Sequence, residues 1–399
     1  MNAVKLNLNF PKELNTIFDI IFEAEGECRL VGGCVRDYLI NKAPVDFDIA
    51  TNLAPEIIIK IFQRNNIEVF PIGVEHGTVL VVINGFNFEI TTLRKDVKCF
   101  GRHAEVQFTN DWKEDAARRD FTMNAMSITP NGELYDYFDG QEDLEQKKVR
   151  FVGNTTKRIE EDYLRILRYL RFLGYFGLKN IDDASYKASI KNIPNLEYIS
   201  KERIRRELLK LLASQFAKEV IIKLIDENIF HYIGLSSITI SSKLLQRINF
   251  KIDDPLVNLA ILCNLSTTQN ANKITQLKNN LQLSNREYKE LNCLTSFTNQ
   301  QKFTNYHHYK YWYEYGKDLY LRFLFVANNI TEINGYKKYL HEVLNGDDFV
   351  FPLNGRDLQN LNIAGKAIGD AIKKAKDYWH TNNNMLNKLE LINYLKIHN

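Results

Sequence analysis

Several scarcities narrow what this 399-residue chain can be. Its five cysteines (Cys28, Cys34, Cys99, Cys263, Cys293) lie far apart, with no CxxC pair and no His/Cys ligand spacing. That pattern speaks against a disulfide framework or a structural zinc site and fits thiols kept in a reducing compartment. No apolar run approaches the roughly 18 residues that span a bilayer, so no membrane partner is expected. The N-terminal segment lacks a signal-type apolar core, and its first arginine is Arg29, so the expected location is cytoplasmic. Charge of one sign is missing as well: Lys+Arg 52 against Asp+Glu 49 leaves a net +3. The chain as a whole is therefore no general polyanion binder, and any nucleic-acid contact must come from local clusters. There is no internal repeat and no low-complexity linker. With 45% hydrophobic residues, the chain can bury sizeable cores in about two to four domains.

The first part of the chain alternates helix and strand signals. Leu14, Ile17, Phe18, Ile21 and Phe22 recur at helical spacing across Lys12 to Glu25. Strands are expected at Cys28 to Val31 and Val45 to Ala50, with a short helix from about Val35 to Asn41 between them, and Pro55 starts another helix. Further strands are expected at Ile67 to Phe70, Thr78 to Ile83 and Phe86 to Leu93, the last two joined by an Asn84-Gly85 hairpin turn. From about Asp143 the strand signals fade. Asp162 to Leu173, Lys201 to Leu212, Ala217 to Asn228 and Asp254 to Leu265 all read as helices.

The segment VGGCVRDYLINKAPVDFDIAT, Val31 to Thr51, concentrates chemistry. Gly32 and Gly33 open a helix whose free backbone N–H groups suit a phosphate, and Arg36 adds a charged donor. A plain tight turn would use the same glycines. Asp46 and Asp48, two apart on a strand, should face one side, and a divalent cation would relieve their repulsion. A strand edge with two solvated aspartates is the alternative. Glu89 falls on the polar side of its own strand and could complete a set of three carboxylates. In nucleotidyl transfer, cations held by such acids bridge phosphate oxygens and lower the pKa of the attacking hydroxyl, so no protein nucleophile is required.

Two further clusters extend this pattern. In EDAARRDFTMNAM, Glu114 to Met126, the residues Arg118, Arg119, Asp120, Thr122 and Asn124 form a dense set of donors and acceptors for sugar hydroxyls and phosphates, or else a solvated helix face. In EEDYLRILRYLRF, Glu160 to Phe172, Asp162, Arg165, Arg168 and Arg171 recur at every third residue while Leu164, Leu167 and Leu170 face away. Asp162 and Arg165 could be a simple ion pair. They could equally read a base: a carboxylate accepting from an exocyclic amino group and a guanidinium donating to the ring nitrogen select C and A and reject U and G.

Taken in order, these segments resemble the class II tRNA nucleotidyltransferases, or CCA-adding enzymes, and the bacterial poly(A) polymerases of the DNA polymerase β superfamily. LVGGCVRD with DFDIAT, GVEHGTV and FEITTLR resemble the catalytic head; RRDFTMNAM resembles a ribose-recognition motif; LYDYFDGQEDL resembles a hinge; EDYLRILRYLRF resembles a nucleobase template; and KERIRRELLKLL resembles the last neck motif. The resemblance implies an α+β fold: a polymerase β-like nucleotidyltransferase head with a mixed sheet, then an all-helical neck, body and tail. The implied spans are 1–150, 151–215, 216–300 and 301–399. It implies that Asp46 and Asp48 bind Mg2+ with Glu89 as a third catalytic carboxylate. Gly32, Gly33, Arg36, Arg119, Asp120 and Asn124 would contact the incoming nucleotide. Asp162 and Arg165 would read the base, and Arg168 and Arg171 would hold triphosphate or support the template. Asp136 to Gly140 would be the hinge, and about Lys95 to Asn110 a flexible loop that helps switch from C to A addition. The implied substrates are CTP, ATP and tRNA, with no protein partner. Cys34 stands where alanine is common and Phe47 where isoleucine or valine is common.

No His-Asp phosphohydrolase signature occurs in the C-terminal half, so no accessory phosphatase activity is expected. The aromatic run Tyr306 to Phe323 fits a helical core or RNA stacking. In the tail, Asn354-Gly355 starts a helix, and Lys366, Lys373, Lys374 and Lys376 either meet tRNA phosphates or form a solvated face.

Overall fold

The computed structural model describes residues 10–44, 46–100, 103–267, 272–297 and 302–398, with the side chains of 98–100, 103 and 104 outside the description. It forms two compact units, Met1–Leu224 and Ile225–Asn399.

The first unit opens with α1 (Lys12–Glu23), which buries Leu14, Ile17, Phe18 and Ile21 but leaves Phe22 in solvent. Then come β1 (Cys28–Val31), α2 (Gly33–Leu39), β2 (Phe47–Thr51), α3 (Pro55–Arg64), β3 (Glu68–Gly73), β4 (Thr78–Ile83) and β5 (Phe86–Thr92). Proline at the first turn of α3 loses no bond, because that N–H has no acceptor within the helix. Asn84 and Gly85 both take positive φ, 51° and 82°, as a type I′ turn between β4 and β5 requires. β2 starts at Phe47, two residues later than the apolar pattern suggests; Asp46 lies in the bend before it, and Val45 is outside the described residues.

Two hairpin strands, β6 (Arg94–Phe100) and β7 (His103–Phe108), occupy most of the segment read as a flexible loop; they pair antiparallel with Arg94 opposite Phe108. Residues 101–102 are outside the described residues. Charges scattered through RKDVKCF and HAEVQF blur the alternation that marks a strand. α4 (Trp112–Ala117), β8 (Ser127–Ile128) and β9 (Leu134–Tyr135) follow. The last two are too short to show any period. Seven strands form one mixed sheet in the order β3-β4-β5-β2-β1-β8-β9. Only β2 and β5 pair in parallel, with Asp48 opposite Glu89.

Helices complete the unit: α5 (Gly140–Glu145), α6 (Thr155–Glu161), α7 (Leu164–Phe176), α8 (Asp183–Asn192), α9 (Lys201–Leu212) and α10 (Ala217–Asp226). α7 buries Leu164, Leu167 and Leu170 as its spacing implies. Asp162 is not in it. Its φ and ψ of −156° and 105° break the chain between α6 and α7, and its Oδ1 accepts from Leu164 N at 3.1 Å. In the segment read as a hinge, Asp136 accepts from the N–H groups of Phe138, Gly140 and Gln141 at 2.8–3.2 Å. A side chain at Gly140 would strike Thr122 O, 2.2 Å from where its Cβ would stand.

Among the described residues of the second unit, every regular element is a helix. Helix Pro255–Leu265 is apolar on all sides and almost wholly buried, with Asp254 as its N-cap. Helix Asn305–Thr331 breaks at Gly316 and buries Tyr309, Trp312, Tyr320 and Phe323, so these rings of the aromatic run are core. Asn354 caps helix Gly355–Gln359 through a reciprocal bond with Asp357. Helix Lys366–Thr381 buries Ala371, Ala375 and Trp379 and turns Lys366, Lys373 and Lys374 outward; Lys376 instead lies over the rings of Tyr313 and Phe351. Among the described residues no helix is long and apolar enough to cross a membrane.

Candidate active site

The first unit contains a cavity of about 810 Å3, with the start of β2 and the turn before α2 on one side and the face of α7 on the other. The sequence-predicted residues Gly32, Gly33, Arg36, Asp48, Arg119, Asp120, Asn124, Asp162, Arg165, Arg168 and Arg171 all line it. Segments from Gly32 to Gln215 thus meet in one cleft. Lys366, Lys373 and Lys374 belong to the other unit.

Gly32 joins β1 to α2 with φ +76°, a conformation costly for any residue with a Cβ. A Cβ there would stand 3.1 Å from Arg119 Nη1 and 3.6 Å from Asp48 Oδ2. The turn therefore brings the backbone, an arginine and an aspartate to one point. Arg36, on the first turns of α2, is held by Asp37 at 2.7 Å and donates through Nη1 to Asn124 Oδ1 at 2.8 Å. Beneath the turn, Cys34 donates to Val31 O, and burial pushes its thiol up to about 12, so it is no nucleophile at neutral pH.

Asp48 is open to solvent at the surface of its side chain but sits on a cleft floor, and desolvation raises its pKa. Glu89 and Asp46 raise it further, while Arg119 opposes them. Asp46 and Glu89 lie beside the cavity rather than in its lining. Among the described residues no three acidic, histidine or cysteine groups converge as a metal cluster. The acid face thus consists of Asp48 with Glu89 opposite it on β5 and Asp46 in the bend before β2, both repelling it. Hard oxygen donors in mutual repulsion fit a divalent cation, whose charge would relieve what raises the Asp48 pKa.

The opposite wall is fully ion-paired. Asp120, at the end of the arginine-rich segment, binds Arg168 through Nε at 2.7 Å and accepts from Asn124 Nδ2 at 3.1 Å. Burial opposes its charge, but Arg168 and the Asn124 bond hold its pKa at about 2. Arg171 pairs with Glu207 of α9 at 2.9 Å and stacks on Phe172. The simple Asp162–Arg165 ion pair that the spacing allows does not form. Because Asp162 leaves the helix, its carboxylate turns to Arg203 of α9 at 2.6 Å. Arg165 pairs with Glu161 and donates to the carbonyls of Arg158 and Arg118. Sequence reasoning missed Arg203, Asp37 and Lys42, which also line the cleft, as does Arg118 of the arginine-rich segment. Arg203 lies inside the KERIRRELLKLL motif, which was its only signal.

Residues 28–150 match the family described as "Poly A polymerase head domain", and residues 180–236 match "Probable RNA and SrmB- binding site of polymerase A". The chain is 34% identical to mitochondrial CCA tRNA nucleotidyltransferase 1 of Homo sapiens over 97% of its length and 90% of that protein. It is 33% identical to the Danio rerio protein of that name, over 97% and 91%. A CCA-adding enzyme of Staphylococcus haemolyticus is 38% identical over 67% of this chain and 64% of its own. In fold, the chain is similar to the Bacillus stearothermophilus CCA-adding enzyme solved with CTP, at a TM-score of 0.79, 24% identity and 97% coverage of both chains.

Proposed function

The chain belongs to the CCA tRNA nucleotidyltransferase family, and on that premise we propose that it adds C, C and A to the 3′ end of tRNA from CTP and ATP. It needs no nucleic acid template, and pyrophosphate leaves. The observation that carries this reading is one cleft holding Asp48, Gly32 and Arg119 on one side and Asp162 and Arg165 on the other.

In this reading, Gly32, Gly33, Arg36 and Arg119 take the triphosphate, and Asp120 and Asn124 fix the ribose side through their bonds to Arg168 and Arg36. Asp46 and Asp48 would hold Mg2+, with Glu89 as a supporting carboxylate. The ion supplies charge neutralisation at the phosphates and a lower pKa for the tRNA 3′ hydroxyl, which attacks the α-phosphate in line. Asp162 accepts from the amino group of cytosine or adenine and Arg165 donates to the ring nitrogen. Arg203 and Glu161 hold these two side chains in place. Arg168 and Arg171 steady the same wall. The proposal keeps the division into head (1–150), neck (151–215), body (216–300) and tail (301–399), with Lys366, Lys373 and Lys374 as tRNA phosphate contacts. It also keeps a cytoplasmic location.

The match to a poly(A) polymerase head favours one alternative, a poly(A) polymerase, with split CC-adding or A-adding enzymes beside it. Purified protein is incubated with tRNA ending at its discriminator base and each nucleotide singly and together. The proposal expects CTP alone to add two residues and CTP with ATP to add three and stop. Long A tails from ATP alone would overturn it.

A further inference from the structure

We infer that Asp115, a residue outside the cavity lining, is the positioning residue for the cleft arginines Arg118 and Arg119. It stands on α4, which Asp111 caps through Lys113 N at 2.7 Å, and its side chain is 3% exposed. One carboxylate grips both guanidiniums. Oδ1 accepts from Arg118 Nε at 2.9 Å and faces its Nη2 at 2.8 Å, and Oδ2 accepts from Arg119 Nη2 at 3.0 Å. Oδ1 also faces the backbone N of Arg94, the first residue of β6, at 3.3 Å.

This arrangement settles where Arg119 points. With Nη2 fixed from behind, Nη1 is left at the Gly32 turn beside Asp48. Two arginines adjacent in sequence would otherwise repel and sample many rotamers, so the shared carboxylate both offsets their repulsion and removes that freedom. Burial works against the Asp115 charge, and Arg119 and Arg118 outweigh it, so its pKa stays below the ordinary carboxylate value. Asp115 stays ionised wherever the enzyme is folded at neutral pH. The bond to Arg94 N ties the root of the β6–β7 hairpin to the same carboxylate.

The inference rests on the proposed nucleotide contact of Arg119, and a double-mutant cycle separates the two. kcat and KM for CTP are measured on tRNA ending at its discriminator base for wild type, Asp115→Asn, Arg119→Gln and the double variant. Assays run below the melting transition of the least stable variant, found by circular dichroism. Should Asp115→Asn not fold, Asp115→Glu, which keeps the charge on a longer arm, takes its place. Asp115→Asn is expected to lower kcat/KM about 10- to 100-fold, mostly through KM. In the Arg119→Gln background that loss should shrink to about 3-fold, because the group it positions is gone. Equal losses in both backgrounds would overturn the inference and leave Asp115 a fold-stabilising residue. Arg119→Gln with unchanged kcat/KM would instead overturn the nucleotide contact itself.

Discussion

The two walls of the cleft keep their charges in opposite ways. On the sheet wall, Asp46, Asp48 and Glu89 form no salt bridge among the described residues, and desolvation, reinforced by repulsion from Glu89 and Asp46, raises the Asp48 pKa. On the helix wall, Asp162, Arg165, Arg168 and Arg171 each bind a partner of opposite charge. Unrelieved carboxylates gain most from a cation, so the sheet wall suits chemistry. Paired groups are held in fixed directions before a ligand arrives, so the helix wall suits selection.

The most severe way to break this contrast is Asp48→Ala. On the order of a 10³-fold fall in kcat is expected, about 4 kcal/mol of barrier, with the preference for CTP and ATP over UTP and GTP unchanged in single-turnover assays. A variant that keeps its rate would remove the sheet wall from the chemistry. Gly32→Ala comes next. The φ of +76° costs an alanine about 1–2 kcal/mol, and the new methyl pushes on Arg119, so KM for CTP should rise about 10-fold with kcat less affected.

Arg203→Ala tests the opposite wall. Losing a partner that holds Asp162 should relax rejection of UTP about fivefold, as removal of one hydrogen bond implies, while kcat with CTP changes less. The smallest effect is on stability. The Asp120 carboxyl has a folded pKa of about 2, below the ordinary aspartate value of 3.8, so its stabilisation is complete above about pH 4 and is lost as pH falls toward 2. Urea melts of wild type at pH 6 and pH 3 should therefore differ by about 1 kcal/mol more than those of Asp120→Asn.

How much of this was legible in the sequence follows from the same contrast. The sheet wall was legible because period-two alternation puts Glu89 on the polar face of β5 and the Asn84-Gly85 turn sets the β4–β5 pairing, although the parallel β2–β5 register that stands Glu89 opposite Asp48 has no local signal. The last strands were not, because two-residue strands carry no period and the β6–β7 hairpin mixes charge into both faces. On the helix wall the spacing of three gave the correct inner face for Leu164, Leu167 and Leu170. It misled at Asp162, where a backbone break outweighed periodicity and redirected the carboxylate to Arg203, 41 residues on. Such long-range pairing has no local signal. The buried role of Asp115 was hidden for a similar reason, since EDAARRD reads as ligand donors or a solvated helix face, and only the fold places the aspartate behind the arginines.

The division of labour is tested most directly by Asp162→Ala assayed against all four nucleotides on tRNA ending at its discriminator base. Discrimination of CTP over UTP should fall about 10- to 100-fold, the worth of one bidentate base contact, while metal-dependent transfer of CTP continues. Undiminished rejection of UTP and GTP in that variant would contradict the assignment of base choice to the helix wall.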